Sequence, residues 1–346
     1  MSWKRTIRPA ADRVAKYVGL LQACERRMRS AVTVLMYHRV LEDAECADYP
    51  FPSLVMPRSL FEAQLAYLSE HTQVLPVADA LREVGKSSRR SRPLLCLTFD
   101  DGYVDNFEIA APLLEARGLR GTFFITAGGV QAQKPLWYDR AVDLWALLGR
   151  RKVGELANES GDDDVPSFET RASWIEWLKV ISNDRRGAIM SMLETRTNDT
   201  ALPCPLMTAE QVRQLAERGH EIGSHTLWHP ILTTMTEAER KVEIDGAKEL
   251  LEDWTGGEVA GFCYPNGDFD QAVVRQLREA GHEYACTTLP GRNHEGTDRF
   301  ELKRIDMTTD RVAAADGRFD SVAFRAEISM FHEGLRRLSS LRGRQG

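Results

Sequence analysis

Thr98-Phe-Asp-Asp-Gly-Tyr103 sets two adjacent carboxylates at the end of an apolar run. Ionised carboxylates leaving a buried strand are costly unless they are paired or hold a metal. Neighbouring residues at a strand end point in different directions, so Asp100 and Asp101 can serve different partners. A plain Asp-Gly turn with both acids in solvent is the competing explanation for this segment taken alone. Gly223-Ser-His-Thr-Leu-Trp-His-Pro230 spaces His225 and His229 four apart. One helical turn would put both imidazoles on one face, as a divalent ion requires. Two histidines and one carboxylate make a three-ligand set with open positions, the catalytic rather than the structural pattern. Such a set takes one divalent ion, zinc foremost, with cobalt, nickel, iron and manganese also compatible. Gly261-Phe-Cys-Tyr-Pro-Asn-Gly267 is a third strand-to-turn segment, and its turn, with Tyr264 and Asn266, can present a backbone N–H to a developing oxyanion. Trp137, Tyr138, Trp228 and Tyr264 are available to stack on a sugar ring.

These segments need a frame that brings their ends together. Apolar, β-rich runs at 31–37, 93–99 and 121–126 predict buried strands, and helical periodicity marks 58–70 and 105–118. Further strands are expected at 220–223, 259–263 and 284–287. Thr208 with Gln211, and Thr236 with Glu239, read as capping boxes that start helices. Alternating strands and helices mean βαβ units, a mostly parallel sheet, and sites at its strand ends. Residues 137–205 break the rhythm: Trp174, Trp177, Leu178 and Ile181 mark a helix and 161–166 an exposed loop, together a helical insertion. A last helix over 321–338 places Ile328, Phe331, Leu335 and Leu338 on one face. The basic, serine-containing stretch 82–93 reads as a solvated loop.

Composition narrows the classes. The 346 residues carry 45 Lys plus Arg against 51 Asp plus Glu, a net charge of −6, which counts against a nucleic-acid binder. Hydrophobic residues make up 43%, enough for a sizeable core. No apolar run approaches the ~20 residues of a membrane-spanning helix. Six scattered cysteines without a Cys-x-x-Cys pair argue against a cysteine zinc site and a disulfide framework. The basic segment 1–30 lacks the continuous apolar core of a secretory signal. It reads as a solvated helix packed on the domain or as an amphipathic helix resting on an anionic membrane surface. The expected location is the cytoplasm, with the inner face of the membrane as a contact.

Together the three motifs, in this order, resemble the polysaccharide deacetylases of carbohydrate esterase family 4, the NodB-homology group. Thr98-Phe-Asp-Asp-Gly-Tyr and Ser224-His-x-x-x-His-Pro match the first two motifs, and Cys263-Tyr-Pro-Asn-Gly matches the third in part. The resemblance covers most of residues 31–310 and implies a distorted (β/α) barrel; the 137–205 insertion falls within it, and a C-terminal helix and tail follow at 311–346. It also implies metal-dependent removal of N-acetyl, less often O-acetyl, groups from an N-acetylated glycan or lipid-linked sugar. By matched position, Asp100 is the base and Asp101, His225 and His229 are the metal ligands. Two departures stand out. The third motif commonly holds an arginine that pairs with the catalytic aspartate, and here that position is Cys263. The family's late histidine, a general acid, has no counterpart in Phe300-Glu-Leu-Lys-Arg-Ile305.

His38 is the candidate for that missing acid. It stands at the end of the 31–37 strand, the same end as Asp100, and Tyr37-His38 resembles a Tyr-His used by relatives with shuffled motif order. A strand-end histidine held by local hydrogen bonds is the alternative. Two other functions compete with glycan deacetylation: hydrolysis of another linear or cyclic amide on the same fold, and carbohydrate binding without catalysis. The retained Asp100 and the complete ligand set argue against the latter.

Overall fold

The computed structural model describes residues 19–47, 49–86, 90–159, 165–197 and 204–331. Among these residues ten strands follow in chain order: β1 (Val32–Tyr37), β2 (Arg39–Leu41), β3 (Val55–Pro57), β4 (Gln73–Val74), β5 (Leu94–Phe99), β6 (Thr122–Ile125), β7 (Glu221–Ser224), β8 (Gly261–Cys263), β9 (Tyr284–Pro290) and β10 (Leu302–Asp306). Every pairing among these strands is parallel. β1 joins β10 on one side and β5 on the other, which closes β1, β5, β6, β7, β8, β9 and β10 into a seven-stranded barrel. β4 pairs with the start of β5, and β6 with its end.

All six residues of β1 and all six of β5 are buried, as expected of parallel strands covered on both faces. Outside them Tyr37, Phe99 and Phe123 stack in a row at 5.6 and 4.8 Å, with Phe61 of the helix Arg58–His71 edge-on to Tyr37. A second cluster gathers Val34, Cys96, Phe124, Cys263, Tyr284 and Cys286 from five barrel strands, as the filling of a narrow barrel must. Both capping boxes form, at Thr208 and Thr236, and start the helices Ala209–Glu217 and Glu237–Thr255.

Between β6 and β7 the chain builds the helices Trp137–Glu159, Arg171–Val180 and Asn183–Glu194. Trp174 is fully buried there, stacked on Trp177 and edge-on to Phe168. The C-terminal helix runs over Ser321–Ile328. Leu335, Leu338, the first 18 residues of the basic N-terminal segment, and 161–164 of the expected loop lie outside the described residues. Among the described residues, Leu20–Met28 is helical, and no helix is long and apolar enough to cross a membrane.

Candidate active site

The chemistry-bearing residues meet where the strands end. Asp100 and Asp101 follow β5, His225 and His229 follow β7, and His38 sits between β1 and β2. All five line one cavity of about 310 Å³. The turn after β5 is made sharp by two successive left-handed residues, Asp101 (φ 79°) and Gly102 (φ 87°). A side chain at Gly102 would also approach the Ile125 side chain to 3.3 Å, so glycine suits this position twice over.

Asp101 Oδ1 lies 3.4 Å from His225 Nε2 and 3.5 Å from His229 Nε2. Metal bonds of about 2.0–2.2 Å in a tetrahedral arrangement separate ligand atoms by about 3.3–3.6 Å, so this triangle fits one divalent ion. His225 Nδ1 lies 2.8 Å from the Cys263 carbonyl and donates to it, which fixes the tautomer that leaves Nε2 as a lone-pair donor. Burial, then the neighbouring His225, pushes His229 down to about 3, so it stands as a neutral imidazole. Burial would raise Asp101, but the hydrogen bond with His225 and the facing His38 and His229 bring it well below the carboxylate range.

The expectation that one helical turn joins His225 to His229 is not met. The segment is a loop, with Thr226 (φ 69°) and His229 (φ 56°) both left-handed. Pro230 disfavours helical backbone at the residue before it, which is the sequence signal that points this way. Glu243 Oε2 accepts from the backbone N–H groups of Leu227 and Trp228 at 2.9 and 3.0 Å, and Thr226 Oγ1 accepts from His229 N–H at 2.9 Å. These bonds hold an otherwise unfavourable backbone.

Asp100 is engaged differently. Arg304, on β10, forks onto it with Nη1 to Oδ1 at 2.7 Å and Nη2 to Oδ2 at 2.8 Å. The same guanidinium donates to the Thr287 carbonyl and to Thr98 Oγ1, and lies 3.1 Å from Cys263 Sγ. Burial pushes Asp100 up, yet Arg304 outweighs it and holds the carboxyl below its usual range. The arginine absent from the third motif is thus supplied two strands later, across the space that the small Cys263 leaves. Sequence reasoning missed it. No residue-level signal marks it, because Leu302-Lys-Arg-Ile-Asp306 does not read as a buried strand; only once it is buried does the guanidinium require a counter-charge.

Asp100, His225 and Cys263 form a second group of potential donors within 4.8 Å. It suits a cation poorly, because Arg304 already neutralises Asp100 and burial pushes the Cys263 thiol far up, keeping its proton. Asp101, His225 and His229 are the better set.

The remaining candidates divide. Trp137 and Tyr138 line the cavity: Trp137 Nε1 donates to the His229 carbonyl at 3.1 Å, and the Tyr138 ring lies 5.2 Å from His229. Asn266 lines it from a left-handed position in the Pro265–Gly267 turn. Tyr264 reaches the same cavity but spends its polar groups elsewhere, its hydroxyl on the Phe300 carbonyl and its N–H on the Cys286 carbonyl. Trp228 is not brought into the cavity; it is 44% exposed and lies against Gly128. His38 is held through its carbonyl by Asn106 Nδ2, and Asp105 accepts from Val40 N–H, so the β1–β2 turn is pinned to the helix after Asp101.

Residues 87–285, more than half of the chain, match the polysaccharide deacetylase family. The chain belongs to that family. As a polysaccharide deacetylase it is a hydrolase of carbon–nitrogen bonds outside peptides. It is 20% identical to YxkH of Bacillus subtilis over 287 residues, 83% of this chain and 75% of that one. Its fold is similar to that of the Streptococcus pyogenes deacetylase PplD in complex with acetate (TM-score 0.54, 17% identity, 80% of this chain and 92% of that one). IcaB from Ammonifex degensii is similar to the same degree (TM-score 0.54, 18% identity, 81% and 93%). Both likenesses extend over the seven-stranded barrel.

Proposed function

We propose that this deacetylase removes N-acetyl groups from a glycan or glycan precursor, using one divalent ion held by Asp101, His225 and His229. The observation that carries the reading is the ligand triangle beside a carboxylate that Arg304 keeps ionised. When bound, the ion supplies Lewis-acid polarisation of the acetamide carbonyl and makes water more acidic. Zinc is the first candidate, since a His₂Asp set with open positions is its catalytic pattern. Asp100, not needed as a ligand, accepts a proton from the attacking water. Asn266, at the cavity wall, offers its backbone N–H to the developing oxyanion. His38 gives a proton to the nitrogen as the C–N bond breaks, so the products are an amine and acetate. The six cysteines are all free, which supports a reducing compartment and hence action in the cytoplasm, before export of the glycan.

Acetate release from N-acetylglucosamine oligomers, with the protein stripped of metal and then reloaded, tests the reading. Activity should vanish on stripping and return on reloading; acetate formation unaffected by a chelator would overturn it. His38→Ala should keep its metal and lose most turnover, with a smaller loss on an activated acetyl ester whose leaving group needs no proton. A near-normal rate on the acetamide would remove His38 from the mechanism.

A further inference from the structure

We propose that the cavity is a blind pocket, closed on one side by the insertion, which takes the end of a glycan rather than its interior; this rests on the deacetylation reading above. A long chain bound at an internal sugar must leave the site in two directions. The described residues block one of them. Phe51, from the loop before β3, lies edge-on to Tyr138 with ring centroids 6.5 Å apart, which joins that loop to the start of the insertion. Beside it, at the same corner, the insertion is joined to the loop after β7 by the Trp137–His229 hydrogen bond and the Tyr138–His229 ring contact. The guanidinium of Arg186, a buried residue of the helix Asn183–Glu194, stacks 4.4 Å over the Trp137 ring and fixes this corner from behind.

The helix Arg171–Val180 adds a second tier. Ala172, Ile175, Glu176 and Lys179 recur at one helical face and all four line the cavity. Ile175 is nearly buried, although it belongs to the insertion and not to the barrel, and Lys179 is held by Glu176 at 2.8 Å. Together with Phe51 and Leu54, Ile175 makes an apolar wall facing the polar floor of histidines and aspartates. Such a wall suits the C–H face of one sugar while the acetamide reaches the floor. The volume, about 310 Å³, stands at the low end of the roughly 300–1,000 Å³ of small-molecule sites. It suits one or two sugar rings, with the rest of any chain leaving by the open side.

The test is a length series of N-acetylglucosamine oligomers of one to six units, added to the metal-loaded protein. Binding is read from tryptophan fluorescence, and the position of each lost acetyl group is read by mass spectrometry of end-labelled chains. The expected result is affinity that rises to two or three units and then stays within about twofold, with acetyl loss confined to one terminal sugar. Affinity that climbs tenfold or more from three to six units, acetyl loss spread through the interior, or no binding of any oligomer would overturn the pocket. Binding that levels off without any acetate release would uphold the pocket and sink the deacetylation reading, so the two fail separately. The variant Phe51→Ala/Ile175→Ala should open the wall, weakening the shortest oligomers at least fivefold and admitting interior sugars. An unchanged length dependence in the folded variant would also overturn the proposal.

Discussion

Burial alone would raise both Asp100 and Asp101, and different neighbours bring each one down: Arg304 for Asp100, the imidazoles for Asp101. Two identical side chains side by side can therefore do separate work, one moving a proton and the other holding an ion. The fork of Arg304 is planar and bidentate, which a lysine cannot reproduce. Arg304→Lys should keep the charge and the metal but lose about tenfold to a hundredfold in kcat with little change in KM, measured by acetate release. Arg304→Met leaves Asp100 buried without its guanidinium counter-charge and should cost about 3–5 kcal/mol of stability in urea unfolding. Parent-level turnover in Arg304→Lys would reduce the arginine to a structural part.

At the scale of elements, β1, β5 and β6 were legible because each is a short apolar or β-branched run in which every residue is buried. Residues 31–37, 93–99 and 121–126 stand within a residue of β1, β5 and β6. β10 was not legible, because Leu302-Lys-Arg-Ile-Asp306 is more than half charged and is buried only through a partner some two hundred residues away. β2, β3 and β4 are two or three residues long and leave no periodic trace. The His225–His229 spacing was legible as a ligand pair but not as a loop, since four-residue spacing favours a helical turn unless Pro230 is weighed. That loop depends on the helix Glu237–Thr255 through Glu243. Glu243→Ala should leave the far-ultraviolet circular dichroism unchanged and weaken metal binding by about 10–100-fold, the range for lost support behind metal ligands. Unchanged affinity in a chelator competition would show that the loop holds itself.

Across the whole molecule, the barrel buries ionisable groups that serve no reaction, and these shape its response to acid. His282, 4% exposed and packed on Phe262, is pushed down to about 3 by burial and by the nearby Lys248. The unfolded chain protonates it near pH 6.5. Above that pH neither state binds the proton; between about 6.5 and 3 only the unfolded state does, so stability falls by about 1.4 kcal/mol per pH unit. His282→Phe should lose less stability than the parent between pH 7 and 5, by about 2 kcal/mol, in urea titrations at fixed salt. Equal losses would mean that His282 takes up its proton in the folded state. The division of labour at the strand ends is tested most directly by metal content measured beside turnover in Asp100→Asn and His229→Ala. Asp100→Asn should hold one metal per chain and release no acetate above background, while folded His229→Ala should have lost both metal and activity. A full metal complement in His229→Ala, or loss of metal in Asp100→Asn, would contradict it.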